Sequence, residues 1–162
     1  MLKSDYEGQT CSIAKTLELV GERWTLLVIR DVFNGRRRFD QMQRSLGVAR
    51  NVLSNRLQRL VGQGILERRI YQERPPRYEY FLTEKGLDLW PTMVAMLEFG
   101  DRHLAEEEGP PLVLRHKHCG GRINGRGICE RCDQVLTARD AHAEAGPGMA
   151  AATGAHRAGH AD

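Results

Sequence analysis

Ligand-type residues are most concentrated in HKHCGGRINGRGICERCDQ, residues 116–134. His116 and Cys119 are two residues apart, Cys129 and Cys132 likewise, and nine residues separate the pairs. A two-residue gap lets both ligands of one turn reach a single ion, and thiolate with imidazole suits tetrahedral zinc. His116, Cys119, Cys129 and Cys132 are therefore a candidate structural zinc site in which protein fills all four positions and leaves none open for catalysis. Gly120 follows the first pair, where the chain must turn beneath the metal, and Asp133 holds the equivalent place after the second. His118 competes as a ligand with poorer spacing. Two plainer readings stand beside zinc. One is a redox dithiol of Cys129 and Cys132, for which the strand and helix of a thioredoxin-like unit are missing; the other is a metal-free hairpin.

A second chemistry is electrostatic. Between Arg36 and Arg77 stand eleven arginines and three acids, Asp40, Glu67 and Glu73, in a chain of formal net charge +3. Residues 105–162 hold seven basic and eight acidic side chains. Such a local excess implies a polyanionic partner, with a solvated arginine-rich face as the alternative. At 162 residues and 41% apolar content, one domain with an appendage is expected. No segment has the length of a membrane span and no apolar stretch follows a basic N-terminus, so the expected location is cytoplasmic. There, four cysteines argue for thiol or metal chemistry over a disulfide framework. No nucleophile–base pair, phosphate-cradling glycine loop or paired carboxylates mark an enzyme.

The elements that position these groups follow from periodicity. Thr10 can cap a helix to about Gly21, with Ile13, Leu17 and Val20 on one face. A helix from about Arg23 to Phe33 is apolar nearly all round and belongs in the middle of the core; Asn34-Gly35 stops it. Two more, from about Phe39 to Leu46 and Arg50 to Val61, end at glycines. The period then changes. Ile65 to Gln72 and Arg77 to Leu82 are rich in β-branched and aromatic residues and flank Glu73-Arg74-Pro75-Pro76, which reads as a hairpin. Thr83 opens a helix to about Leu104, and Pro91 predicts a kink in it. Helices followed by a two-stranded hairpin give the order of a winged helix-turn-helix.

The strings CSIAKTLELVGERWTLLVIRDVFNGRRRFDQM, VLSNRLQRLVGQGILERRIY and PPRYEYFLTEKG together resemble the HxlR-type transcriptional regulators, from about Cys11 to His103. The resemblance implies a dimeric bacterial regulator that binds double-stranded DNA. Its fold would be α+β and mainly α: a winged helix-turn-helix with N- and C-terminal dimerisation helices. The expected organisation is an N-terminal arm (1–10), the winged-helix domain (11–104), a linker (105–111), a small zinc-ribbon-like segment (112–140) and a disordered Ala/Gly-rich tail (141–162).

The residues support a DNA-binding surface independently of that resemblance. With Leu53 pointing inward, steps of ~100° place Leu57 and Leu60 beside it and Asn51, Asn55 and Gln58 opposite, flanked by Ser54 and Arg59. With Arg50 at the helix start, this face holds the donors and acceptors to read base edges in a major groove; an ordinary polar face is the alternative. Arg36, Arg37 and Arg38 precede the third helix, and Arg74 and Arg77 bracket the double proline, all placed for phosphate contact along the backbone or minor groove. Arg56 and Arg68 are candidates for pairing with acids inside the domain instead.

The last helix carries two apolar stripes: Leu87, Trp90, Val94 and Leu97, and Leu89, Met93, Met96 and Gly100. One stripe would pack inward and the other meet a second copy in a homodimer, unless both form one wide core face. Cys11 stands apart from the metal cluster. A helix N-terminus favours thiolate, and Lys15 adds positive charge one turn on. In some HxlR-type regulators a cysteine at this position senses oxidants or electrophiles, which makes Cys11 a candidate redox sensor; a small packing residue is the alternative. Two other functions stay open beside DNA-binding regulation: a zinc-dependent protein-interaction module on a winged-helix scaffold, and a thiol-disulfide enzyme centred on Cys129 and Cys132.

Overall fold

Leu53, Leu57 and Leu60 recur at helical spacing and are at most 1% exposed, so one apolar stripe seats a whole helix in the core. That helix is α4 (Arg50–Gly62) in a computed structural model that describes Tyr6, residues 8–104 and residues 107–149. Before it come α1 (Ser12–Val20), α2 (Thr25–Phe33) and α3 (Phe39–Leu46). Val28, Ile29 and Val32 of α2, Met42 and Leu46 of α3, and Ile65 and Leu66 complete the core around α4. Each such burial contributes about 1.5–3 kcal/mol. Gly47 sits at φ +61, where a side chain would be strained, and returns its N–H to the Gln43 carbonyl, ending α3 so that α4 can start three residues later.

Strands β1 (Leu66–Gln72) and β2 (Arg77–Leu82) pair antiparallel from Leu66↔Leu82 to Gln72↔Arg77, with an irregularity after Ile70. The Arg37 carbonyl accepts from Tyr80 N at 2.8 Å and Arg38 bridges to Glu79, so the entry to α3 is stitched to the wing.

Two expectations about the helices need correction. Cys11, not Thr10, caps α1: its Sγ accepts from Ala14 N at 3.4 Å. Ala14 and Val20 are the inward residues, whereas Ile13 is 74% exposed. The expected long helix is broken into α5 (Glu84–Leu87) and α6 (Trp90–His103). Proline at 91 has no N–H for Leu87, and its ring would strike that carbonyl. The chain therefore breaks and restarts with Pro91 in the first turn, and no kink is needed.

The chain divides into two compact units between Leu87 and Asp88. The second takes in α6, β3 (Leu112–His116), a 3₁₀ turn (Ala138–Asp140) and β4 (Ala141–Ala145). Val94 and Leu97 of α6 and Val113, Leu114 and Ile123 of the ribbon line a cavity of only about 50 Å³, too small for a ligand of ordinary size. The Ala-rich segment expected to be disordered from Ala141 instead begins with β4, paired to β3 from Leu112↔Ala145 to His116↔Ala141. Gly146 and Gly148 continue this closure through bonds to the Pro111 and Pro110 carbonyls. The free edge of β3 supplies partners that the tail's own composition does not announce. The rest of the expected tail, from residue 150, lies outside the described residues.

Candidate nucleic-acid interface and metal centre

On α4, Asn51, Asn55 and Gln58 are exposed and Ser54 is half-buried, opposite the leucine stripe. Arg50 is exposed at the first position of the helix, its guanidinium 4.8 Å over the Phe39 ring. Arg59 is used differently from expectation. Its Nη1 donates to Glu22 Oε1 at 2.8 Å and its Nη2 to the Glu18 carbonyl at 2.7 Å, which ties α4 to the end of α1. Arg56 pairs with the other oxygen of Glu22 and donates to the Arg23 carbonyl, as its candidacy for an internal partner anticipated. Arg68 instead lies 4.5 Å over the Tyr78 ring. Glu22, the one acid between α1 and α2, went unread because its partners are more than thirty positions away in sequence.

Around this face the arginines fall into two groups. Arg38 donates to Glu79 at 2.9 Å and lies 4.3 Å over Tyr71; the Glu79 hydrogen bond raises its pKa, so this guanidinium holds wing to helix. Arg44 pairs with Asp40 and Arg69 with Glu67. Arg36 is exposed with Nη1 3.7 Å from the buried Asp31 carboxylate. Arg37 rests 4.5 Å over Phe81 without an acidic partner among the described residues. Arg74 and Arg77 are exposed at the hairpin tip, and neither guanidinium has an ion pair among the described residues. Gln72 pins that tip by donating to the Arg74 and Pro75 carbonyls. Among the described residues the arginines of this region without an ion pair are thus Arg37, Arg50, Arg68, Arg74 and Arg77, at the entry to α3, at the start of α4 and on the wing.

In the second unit the four spaced ligands converge. Cys119 Sγ lies 3.4 Å from Cys129 Sγ and 3.7 Å from Cys132 Sγ. His116 Nδ1 is 3.2 Å from Cys119 Sγ and 3.4 Å from Cys132 Sγ. Sulfurs bound tetrahedrally at about 2.3 Å from one ion would stand about 3.8 Å apart, so the set has nearly the dimensions of a zinc shell. Each pair is closed by the same turn. Gly120 N bonds to the His116 carbonyl and Asp133 N to the Cys129 carbonyl, with φ of +71 and +56 at the turning residues. Asp133 therefore fills the glycine-like place expected of it.

His116 and Cys129 are buried, Cys119 is half-buried and Cys132 is exposed. Burial pushes the Cys129 thiol up, but the N–H groups of Arg131 and Cys132 and the thiols of Cys119 and Cys132 outweigh it and bring its pKa down to about 6. The Cys132 thiol is pulled down by Gln134 N–H, yet burial and the two neighbouring sulfurs leave it raised. His118 is exposed and outside the cluster. Cys11, in the other unit, is also exposed.

Comparison with known proteins agrees with this anatomy. The HxlR-like helix-turn-helix family matches residues 19–108. An HTH-type transcriptional regulator of Mycobacterium bovis is 47% identical over 150 residues, 93% of this chain and 94% of the relative. PA1607, described as a transcription factor, aligns with a TM-score of 0.66 at 31% identity, covering 82% of this chain and 93% of its own. The redox regulator HypR in its reduced form aligns at 0.54 and 30% identity, over 57% of this chain and 92% of HypR. Helix order, wing and matched residues lead to one assignment: the chain belongs to the HxlR-like helix-turn-helix family of transcriptional regulators.

Proposed function

We propose that the protein is a homodimer that binds a two-half-site operator, each copy laying α4 in a major groove. Asn51, Ser54, Asn55 and Gln58 read base edges, while Arg36, Arg37, Arg50, Arg74 and Arg77 hold phosphates. The observation that carries this reading is the exposed amide face of α4, set opposite three fully buried leucines, with arginines that have no ion pair among the described residues at the start of α4 and on the wing. His116, Cys119, Cys129 and Cys132 would hold one zinc ion, whose role is to fix a segment poor in large apolar residues. Cys11 is proposed to respond to an oxidant or electrophile, supported by its exposure at a helix N-terminus and by the likeness to HypR.

The test begins with selection of bound genomic fragments, followed by titration of the selected duplex and a scrambled one. Replacing Asn55 by Ala costs about 1–3 kcal/mol on the selected duplex and little on the scrambled one. Arg77→Ala weakens both and lowers the slope of log affinity against log salt by about 1. Equal losses on the two duplexes for Asn55→Ala would refute the base-reading role.

A further inference from the structure

Asn51, Asn55 and Gln58 share the exposed face of α4, but among the described residues only the Asn55 amide is shown held by another side chain. Arg56 Nη1 donates to its Oδ1 at 2.8 Å. A guanidinium has five N–H donors and no acceptor, so the amide atom facing it must be oxygen. Arg56 is in turn immobilised: its side chain is 20% exposed, it is ion-paired to Glu22, and its Nε donates to the Arg23 carbonyl at 3.1 Å. Glu22 is steadied from the far side by Arg59, which is also bonded to the Glu18 carbonyl. The relay Glu22–Arg56–Asn55 turns the amide oxygen toward Arg56 and leaves the NH₂ group to face a ligand.

We propose that Asn55 is a donor-only reader, and that Glu22 and Arg56 are positioning residues that make it so. In the major groove guanine offers N7 and O6 and thymine offers O4, all acceptors. Adenine is read by asparagine through a paired acceptor and donor, which needs the amide oxygen as well as the nitrogen. Adenine shares the N7 acceptor, but its neighbouring N6–H₂ donor meets no acceptor on a donor-only amide, so Asn55 favours guanine or thymine over adenine. This rests on α4 being the base-reading helix.

The experiment is selection from a randomised duplex library with the full-length chain, comparing wild type, Asn55→Ala, Arg56→Met and Glu22→Ala. Asn55→Ala erases the preference at one position of each half-site, which identifies the contacted base. At that position wild type enriches guanine or thymine over adenine. Arg56→Met frees the amide to turn, and adenine gains there by roughly tenfold relative to guanine, within the range of a bidentate base contact. Preferences at other positions are kept, which shows that the variant is folded. Glu22→Ala gives a change of the same sign, and it decides the matter if Arg56→Met enriches no sequence at all. A library in which no position responds to Asn55→Ala removes the reading of α4, and the proposal with it. A responding position that favours adenine in wild type, or whose adenine-to-guanine ratio neither variant moves, overturns the donor-only assignment alone.

Discussion

The cysteines divide by what their surroundings do to the thiol. Cys129 ionises near pH 6 because N–H groups of its own turn point at the sulfur, so ultraviolet thiolate absorbance of the metal-free chain shows a first step near that pH. The folded pKa lies below the unfolded one of about 8.5. The thiolate's stabilising contribution is therefore complete above the unfolded value and lost as pH falls through about 6. Cys129→Ser removes the step and lowers zinc content from about one per chain by elemental analysis; a variant retaining full metal would exclude the four-ligand site. Cys11 is a different case, a solvent-exposed helix cap. Hypochlorite is expected to release wild type from its operator at a dose that leaves Cys11→Ser bound, and equal release of both would dismiss it as the sensor. The convergence of His116, Cys119, Cys129 and Cys132 was legible because spacing within a turn is local. The pairing of Arg59 with Glu22 was not, because a partner 37 residues away leaves no periodic trace; for Arg56 an internal acid was expected, but not which one.

Elements were legible where amphipathic period and turn residues agree, as in α4 and the hairpin around Pro75-Pro76. They were not legible where a backbone partner decides the outcome, as in β4, whose Ala-rich sequence becomes a strand only against β3. The apolar pattern runs on through residues 84–103 and so suggests one kinked helix, whereas the missing N–H of Pro91 leaves the Leu87 carbonyl without its helical partner and breaks the chain into two. Within the ribbon, Gly121 is the glycine packed against the second ligand turn. A Cβ there would stand 2.5 Å from Cys129 Sγ and 2.6 Å from the Arg131 Cβ, so the two turns approach each other only over a bare backbone. Gly121→Ala should therefore push the second turn away and lower zinc stoichiometry, while DNA binding measured at saturating zinc falls less than for Asn55→Ala. Unchanged zinc content would show that the turns have room to adjust.

At the scale of the whole molecule, each unit keeps an apolar surface that its own fold does not cover. Ile13 of α1 is 74% exposed, and Met96 and Phe99 of α6 are 51% and 62% exposed. The homodimer reading expects these residues at the subunit contact, so Phe99→Glu is predicted to shift the sedimenting species from dimer toward monomer and to weaken operator binding with it. An unchanged dimer would move the contact elsewhere. The β3–β4 pairing has a mechanical consequence. Leu112 and Ala145 sit together at one end of the ladder, and Ala141 sits at the other with His116, a member of the His/Cys cluster. A pull on the chain ends therefore peels the rungs one at a time, through the Pro110–Gly148 and Pro111–Gly146 bonds and then from Leu112–Ala145 inward, the easy direction for an antiparallel pair, instead of shearing them together. The peel runs inward until it meets His116, so a bound ion would act as the rivet at which the tear stops.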